Sequence, residues 1–218
     1  MSLLEFRNVT YIHSNNSILE NISLNIEQGD FVSITGPSGS GKSTILKLCS
    51  NLISPTEGDI LFKAVNLNLY APTELRKSIT YCFQTPYLFG DTVIENIRFP
   101  FLIRDLQIDD VRVNELFSKF QMPIEFLAKE VKNLSGGEKQ RLSLIRSLLF
   151  KPEILLLDEI TAALDVENTK IVEKVIKSLN NEGITVLWVT HNTEQSRKLA
   201  NKRITVENGR VKNIELLV

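Results

Sequence analysis

The sequence predicts an α/β fold built on a parallel sheet, and three observations carry the prediction. Short β-rich runs at 31–35, 154–157 and 184–189 alternate with helical patterns at 42–51, 136–150 and 167–179, the alternation that winds strands into a parallel sheet. The runs are rich in branched residues, which marks them as buried strands. The first of them stops at a glycine cluster that opens a helix, the arrangement expected around a phosphate site.

Taken in order, Leu4, Phe6, Asn8 and Tyr11 open a first strand. Ile18, Ile22, Leu24 and Ile26 open a second, which ends at the turn Gln28-Gly29-Asp30. The helix at 42–51 presents Ile45, Leu46, Leu48 and Cys49 as its apolar face. After Pro55 and Gly58 come strand-like pieces at 59–62 and 79–83. Residues 85–134 change character: Pro100 and Pro123 mark breaks, and Val111, Val113, Leu116, Phe117 and Phe120 recur at helical spacing. A mostly helical insertion is expected there. A short helix at 194–199 and two terminal strands complete the chain. No internal repeat is present, so the unit occurs once.

The 218 residues are 43% hydrophobic and 23% charged, enough for one domain spanning 1–218 with a sizeable core. Lys and Arg number 25 against 26 Asp and Glu, a net charge of −1. That balance argues against a broad electrostatic footprint for nucleic acid or anionic lipid, and no nucleic-acid partner is expected. No apolar run approaches the ~18 residues of a membrane-spanning helix. The start, Met-Ser-Leu-Leu-Glu-Phe-Arg, lacks the basic-then-apolar pattern of a secretory signal. Cys49 and Cys82 have no metal-ligand spacing, which fits a reducing cytosolic compartment. Any work at a membrane is therefore expected to pass through a partner.

Gly36-Pro37-Ser38-Gly39-Ser40-Gly41-Lys42-Ser43-Thr44 fits the pattern glycine, four residues, then Gly-Lys-Ser/Thr. Glycines let consecutive N–H groups converge on phosphate oxygens. Lys42 reaches the β- and γ-phosphates, Ser43 can ligate Mg²⁺, and the helix beginning near Gly41 adds its positive end. A flexible Gly/Ser loop with an incidental lysine is the plainer reading. The strand before and the helix after it decide for nucleotide.

The strand at 154–157 ends in Asp158 and Glu159. Two acids after an apolar run are costly unless they meet a cation or a wet cleft. Asp158 is suited to hold Mg²⁺ through its water shell, and Glu159 to polarise an attacking water. Capping of the following helix is the alternative.

Leu134-Ser135-Gly136-Gly137-Glu138-Lys139-Gln140-Arg141 joins a Ser-Gly-Gly turn to a helix start. Ser135 with Glu138 three positions on reads as a capping box, and the exposed amides of the turn read as an anion site; both can hold at once. This octapeptide resembles the signature motif of the ATP-binding cassette (ABC) ATPases. With the resemblance in view, Gln84 matches the Q-loop glutamine that contacts Mg²⁺, Asp165 in Ala163-Leu164-Asp165 the D-loop, and His191 the switch histidine at the γ-phosphate. Tyr11 takes the place of the aromatic that stacks on adenine. A lone His, Gln or Tyr is by itself a weak signal; their order beside three strong motifs gives them weight. Ile160 and Ala162 depart from the commoner Pro and Ser.

The resemblance implies a P-loop NTPase (RecA-like) core with an antiparallel β subdomain, 1–84 and 135–218 together, and a helical insertion subdomain at 85–134. It implies an ATPase using ATP and Mg²⁺. Glu159, His191 and Lys42 would be its catalytic residues, and Ser43, Gln84 and Asp158 its metal ligands. Two copies would close head to tail, so that Ser135 and Gly137 of one face the phosphate loop of the other. A separate polytopic membrane subunit would hold the chain at the cytoplasmic face of the membrane as a peripheral protein. The aromatics at 87–101 are either anchors for that subunit or the insertion's own core.

The stretch 81–93, from Tyr81-Cys82-Phe83-Gln84 to Thr92-Val93, together with Ile160-Thr161 and Leu187-Trp188-Val189-Thr190-His191, resembles the ATP-binding subunit of Fet-type iron-efflux ABC transporters. Iron is implied by resemblance only, because no residue cluster has the geometry of an iron site. A soluble ABC ATPase acting on nucleic acid or ribosomes is the alternative. It is disfavoured by the absence of sustained heptads between phosphate loop and signature, and by the single cassette. A small P-loop kinase would have no use for Ser135-Gly136-Gly137 or His191.

Overall fold

The computed structural model describes residues 2–217. Its contacts divide the chain into two compact units: residues 1–81, 152–159 and 179–218, and residues 82–151 with 160–178.

The first unit holds two sheets. Ser2–His13 (β1) and Asn16–Glu27 (β2) form a long antiparallel hairpin, and Phe31–Thr35 (β3) leads to the helix Lys42–Cys49 (α1). Glu57–Phe62 (β4) pairs antiparallel with β1, and the short Val65–Asn66 (β5) closes a four-stranded sheet in the order β2-β1-β4-β5. The alternating burial of β2 is that of a sheet with one covered face. A helix at Pro72–Ser78 (α2) then precedes Ile79–Cys82 (β6). The sequence pattern gave no warning of α2, which buries only Leu75 and has no apolar stripe to betray it.

The second sheet contains β6, Ile154–Asp158 (β7), Thr185–Val189 (β8), Lys202–Glu207 (β9) and Arg210–Leu216 (β10), in the order β10-β9-β3-β8-β7-β6. Strands β3, β7 and β8 pair in parallel and are buried along almost their whole length, as continuous apolar runs require. One core links the sheets: Leu4, Phe6 and Ile22 belong to the same apolar cluster as Ile45, Leu46, Ile154 and Leu187. The expected face of α1 is confirmed, since Ile45, Leu46, Leu48 and Cys49 are all fully buried.

The second unit carries Val93–Leu102 (α3), Asp110–Lys119 (α4), Gly136–Leu148 (α5) and most of Val166–Asn181 (α6); Thr193–Leu199 (α7) lies in the first unit. It therefore contains the 85–134 segment together with α5. Pro100 does not break the chain as the sequence suggests. It sits inside α3, two residues from the end, where it withholds one amide donor from the helix without ending it. Pro123 does mark a boundary, at the start of the 3₁₀ turn Ile124–Ala128. In α4, Val113, Leu116, Phe117 and Phe120 are buried, whereas Val111 is exposed. It lies two residues off the i, i+3, i+4 stripe, on the other side of the helix. Phe101 is buried against Phe150 and serves the unit's own core, whereas Phe99 packs edge-on to Phe89 and stays exposed. Tyr87 remains exposed.

Candidate functional site

Strand β3 is pinned between β8 and β9 and ends at Thr35, so the chain must leave the sheet at Gly36. Gly36 (φ +142°) lies so close to the Val206 carbonyl that no Cβ would fit, and Gly41 (φ +101°) is pressed against Leu19. These two positions shape the loop and could not be held by other residues. Leu19 is the cross-strand partner of Tyr11, so Tyr11 lies on the sheet face that the loop approaches. Tyr11 is half-buried, with its ring stacked beside that of His13.

Helix α1 begins at Lys42 with a left-handed Gly41 as its cap, no side-chain cap and no acid in the first turn. Its positive end is thus unneutralised. The Ser40 hydroxyl is buried with no hydrogen-bond partner among the described residues. An uncapped helix start, a glycine-shaped loop and an orphaned hydroxyl together fit a phosphate group.

Lys42 is buried, and its Nζ donates to the carbonyls of Gly36 (3.1 Å) and Pro37 (2.8 Å). Burial pushes its ammonium down from the ordinary lysine range, while the carboxylates of Glu159 and Asp158 draw it back up. Ser43 Oγ donates to Asp158 Oδ1 at 2.8 Å, joining loop to strand end across 115 residues. Tyr81, at the end of β6, donates its hydroxyl to the other oxygen, Oδ2, at 2.6 Å. A hydroxyl and a carboxylate form a hard-oxygen pair that suits Mg²⁺, which takes few protein ligands and fills its shell with phosphate and water. Among the described residues, no group of three or more His, Cys, Asp or Glu could hold a metal ion.

Glu159 adopts φ +48°, the left-handed region that a non-glycine residue rarely enters. Its N–H donates to the Val189 carbonyl (3.1 Å), which ties the ends of β7 and β8 together. The side chain then meets His191: Oε1 to Nε2 is 2.9 Å. The turn carrying His191 is strapped down on both sides. Thr190 Oγ1 donates to Gln195 (2.6 Å) and accepts from the Asn192 amide, while Asn192 Oδ1 caps α7.

In the second unit, Ser135 and Glu138 form the expected capping box. The Ser135 amide donates to Glu138 Oε2 (2.6 Å), and the Glu138 amide donates to Ser135 Oγ (3.3 Å). Gly136 has open space around it, while a Cβ on Gly137 would strike the side chain of Asn168. Asn168 also donates twice to Asp165, from its backbone and from Nδ2, both at 2.8 Å. The Ser135-Gly136-Gly137 turn and the Ala163-Leu164-Asp165 segment are thus joined through Asn168. Gln84 is exposed, in the same unit.

Tyr81, Gln195 and Asn168 escape the sequence reading. Only Asn168 leaves a signal there, an Asp-x-x-Asn spacing typical of a helix start.

The family of ABC transporter ATP-binding domains (described as "ABC transporter") matches residues 19–162. The probable iron export ATP-binding protein FetA of Escherichia coli (strain K12) is 46% identical over 206 residues, 94% of this chain and 91% of that protein. A dimeric ATP-binding cassette solved in a post-hydrolysis state with ADP and Pi superposes with a TM-score of 0.88 at 32% identity, covering 99% of both chains. A bacterial ABC exporter with ATP bound gives a TM-score of 0.86 at 28% identity, over 98% of this chain and 38% of the exporter's.

Proposed function

The chain belongs to the ABC transporter family as an ATP-binding subunit that hydrolyses ATP, and from that premise we propose how its residues divide the work and what the work drives. The single observation that supports the reading best is the convergence of two pairs, Ser43 with Asp158 and Glu159 with His191, at the ends of neighbouring strands beside the phosphate loop.

The loop from Gly36 through Pro37, Ser38, Gly39, Ser40, Gly41, Lys42 and Ser43 to Thr44 wraps the phosphates. Lys42 turns from the Gly36 and Pro37 carbonyls to the β- and γ-phosphates, a move its long flexible stem allows. Tyr11 stacks on adenine. Ser43, Asp158 and Gln84 would hold Mg²⁺, which would supply charge neutralisation at the phosphate oxygens. Glu159 accepts a proton from the attacking water, and His191 orients Glu159 and contacts the γ-phosphate. A second copy closes head to tail, bringing its Ser135, Gly136 and Gly137 to the γ-phosphate and its Asp165 to the seam. Closure excludes water and adds the positive end of α5.

The membrane work belongs to a partner, since no helix among the described residues is long and apolar enough to cross a bilayer. We place the chain at the cytoplasmic face, bound to a polytopic subunit, with export of a metal, iron, as the transport it drives. The likeness to FetA supports that substrate. With no three-ligand metal cluster among the described residues, the metal would be recognised by the membrane subunit. Isolation of the tagged chain from its native membranes in mild detergent tests the reading. A polytopic protein in stoichiometric amount is expected; soluble partners or nucleic acid alone would overturn the transport assignment and leave the ATPase chemistry standing.

A further inference from the structure

We propose that Tyr81 is a positioning residue of the nucleotide–metal site, fixing the Asp158 carboxylate so that Oδ1 is presented beside Ser43. The inference rests on the reading that Ser43 and Asp158 hold Mg²⁺.

Asp158 is buried at the end of β7, with two oxygens to satisfy. Each has one hydroxyl donor: Ser43 on Oδ1 at 2.8 Å and Tyr81 on Oδ2 at 2.6 Å. The second contact lies in the short range of hydroxyl-to-carboxylate bonds, which are stronger than neutral ones. A carboxylate with one hydroxyl donor can swivel about its final torsion, which is a soft one. Held at both oxygens by groups from different elements, α1 and β6, it keeps one orientation. That is the pre-organisation that a metal with strict octahedral demands rewards.

The position of Tyr81 in the chain adds a consequence. It is the third residue of β6 and stands three residues before Gln84. The strand that delivers Gln84 therefore also delivers the hydroxyl that orients Asp158. Half-buried tyrosines commonly find some acceptor; what distinguishes this one is that its acceptor is a candidate metal ligand.

The test compares binding of a non-hydrolysable ATP analogue in Mg²⁺ and in EDTA, for the full chain and for Tyr81→Phe, which keeps the ring and its packing. The tightening produced by Mg²⁺ is expected to shrink about tenfold in Tyr81→Phe, the scale of one hydrogen bond to a charged group. Affinity in EDTA should stay at the parent value, while the melting temperature falls by only the few degrees that one buried hydrogen bond costs. Asp158→Asn and Ser43→Ala, measured alongside, should also shrink the gain. A full Mg²⁺ gain in Tyr81→Phe while Asp158→Asn loses it overturns the positioning role alone. An equal loss in EDTA and in Mg²⁺ also overturns it, because Tyr81 would then act on the loop rather than the metal. If the gain is missing from the parent, or survives both Asp158→Asn and Ser43→Ala, the metal-site reading itself fails and this inference falls with it.

Discussion

Glu159 Oε1 and His191 Nε2 stand 2.9 Å apart, although 32 residues separate them in sequence. Neither position is accidental. Glu159 is held in a left-handed backbone by its bond to Val189, and His191 sits on a turn fixed through Thr190 and Gln195. A strained acid braced against a histidine is costly to maintain for stability alone. Replacing the acid with its amide keeps size and backbone while removing the base. Glu159→Gln is expected to bind ATP normally, to lose hydrolysis by about 10²- to 10⁴-fold, and to accumulate an ATP-held dimer. Phosphate release and size-exclusion chromatography with ATP would check both; turnover at the parent rate removes the general-base role.

Lys42→Ala acts one step earlier. The ammonium is buried and pushed down by that burial, while the Glu159 and Asp158 carboxylates draw it back up. Its removal leaves the Gly36 and Pro37 carbonyls without their donor. A charge-assisted contact to phosphate is lost at the same time, so nucleotide affinity should fall by tenfold or more on the scale of ~1.5–3 kcal/mol per bond. Titration with a fluorescent ATP analogue measures this. An unchanged dissociation constant would mean that the loop does not carry the phosphates.

How far these residues announce themselves in the sequence depends on how local their chemistry is. The phosphate loop is contiguous, and its glycines and lysine read directly. The strands that flank it read from their apolar runs. Tyr81 does not, because its partner Asp158 is distant in the chain and meets it only after β6 and β7 join one sheet. Gln195 is hidden for another reason: its bond to Thr190 spans only five residues, but it depends on how the chain turns between β8 and α7. Pro100 misleads for a different reason: it removes one amide donor, but Ile97 and Phe101, buried on either side of it, carry the helix past. Helix α2, with a single buried leucine, never had a periodic pattern to read.

Asn96 supports the second unit from within. It is fully buried; its Nδ2 donates to the carbonyls of Phe89 (2.8 Å) and Thr92 (3.1 Å), and its Oδ1 accepts from the Phe89 amide (3.2 Å) and Arg146 Nη1 (3.0 Å). Arg146 goes on to the Tyr87 carbonyl at 2.7 Å and lies over the Phe89 ring. Asn96→Ala would orphan several of these groups at once, each at about 1–3 kcal/mol. A loss of roughly 2–4 kcal/mol is expected by urea denaturation. A loss below ~1 kcal/mol would show that water replaces the network.

The capping box of α5 gives a prediction with a definite sign in pH. Glu138 loses solvation on burial, which raises its carboxyl, but the Ser135 amide and hydroxyl and the Lys129 ammonium outweigh that and hold it below the ordinary range. A folded-state value below the unfolded one means that the group contributes stability above the unfolded value, and that this contribution is lost as pH falls through the folded one. Glu138→Ala should therefore cost about 0.5–2 kcal/mol at neutral pH, the scale of a helix cap, and progressively less as acid protonates the parent's carboxyl. The two proteins should converge in stability below the ordinary glutamate range. Denaturant melts of both, run from neutral pH into acid, read this directly. A cost that stayed constant across that range would assign the effect to the packing of the side chain rather than to its charge.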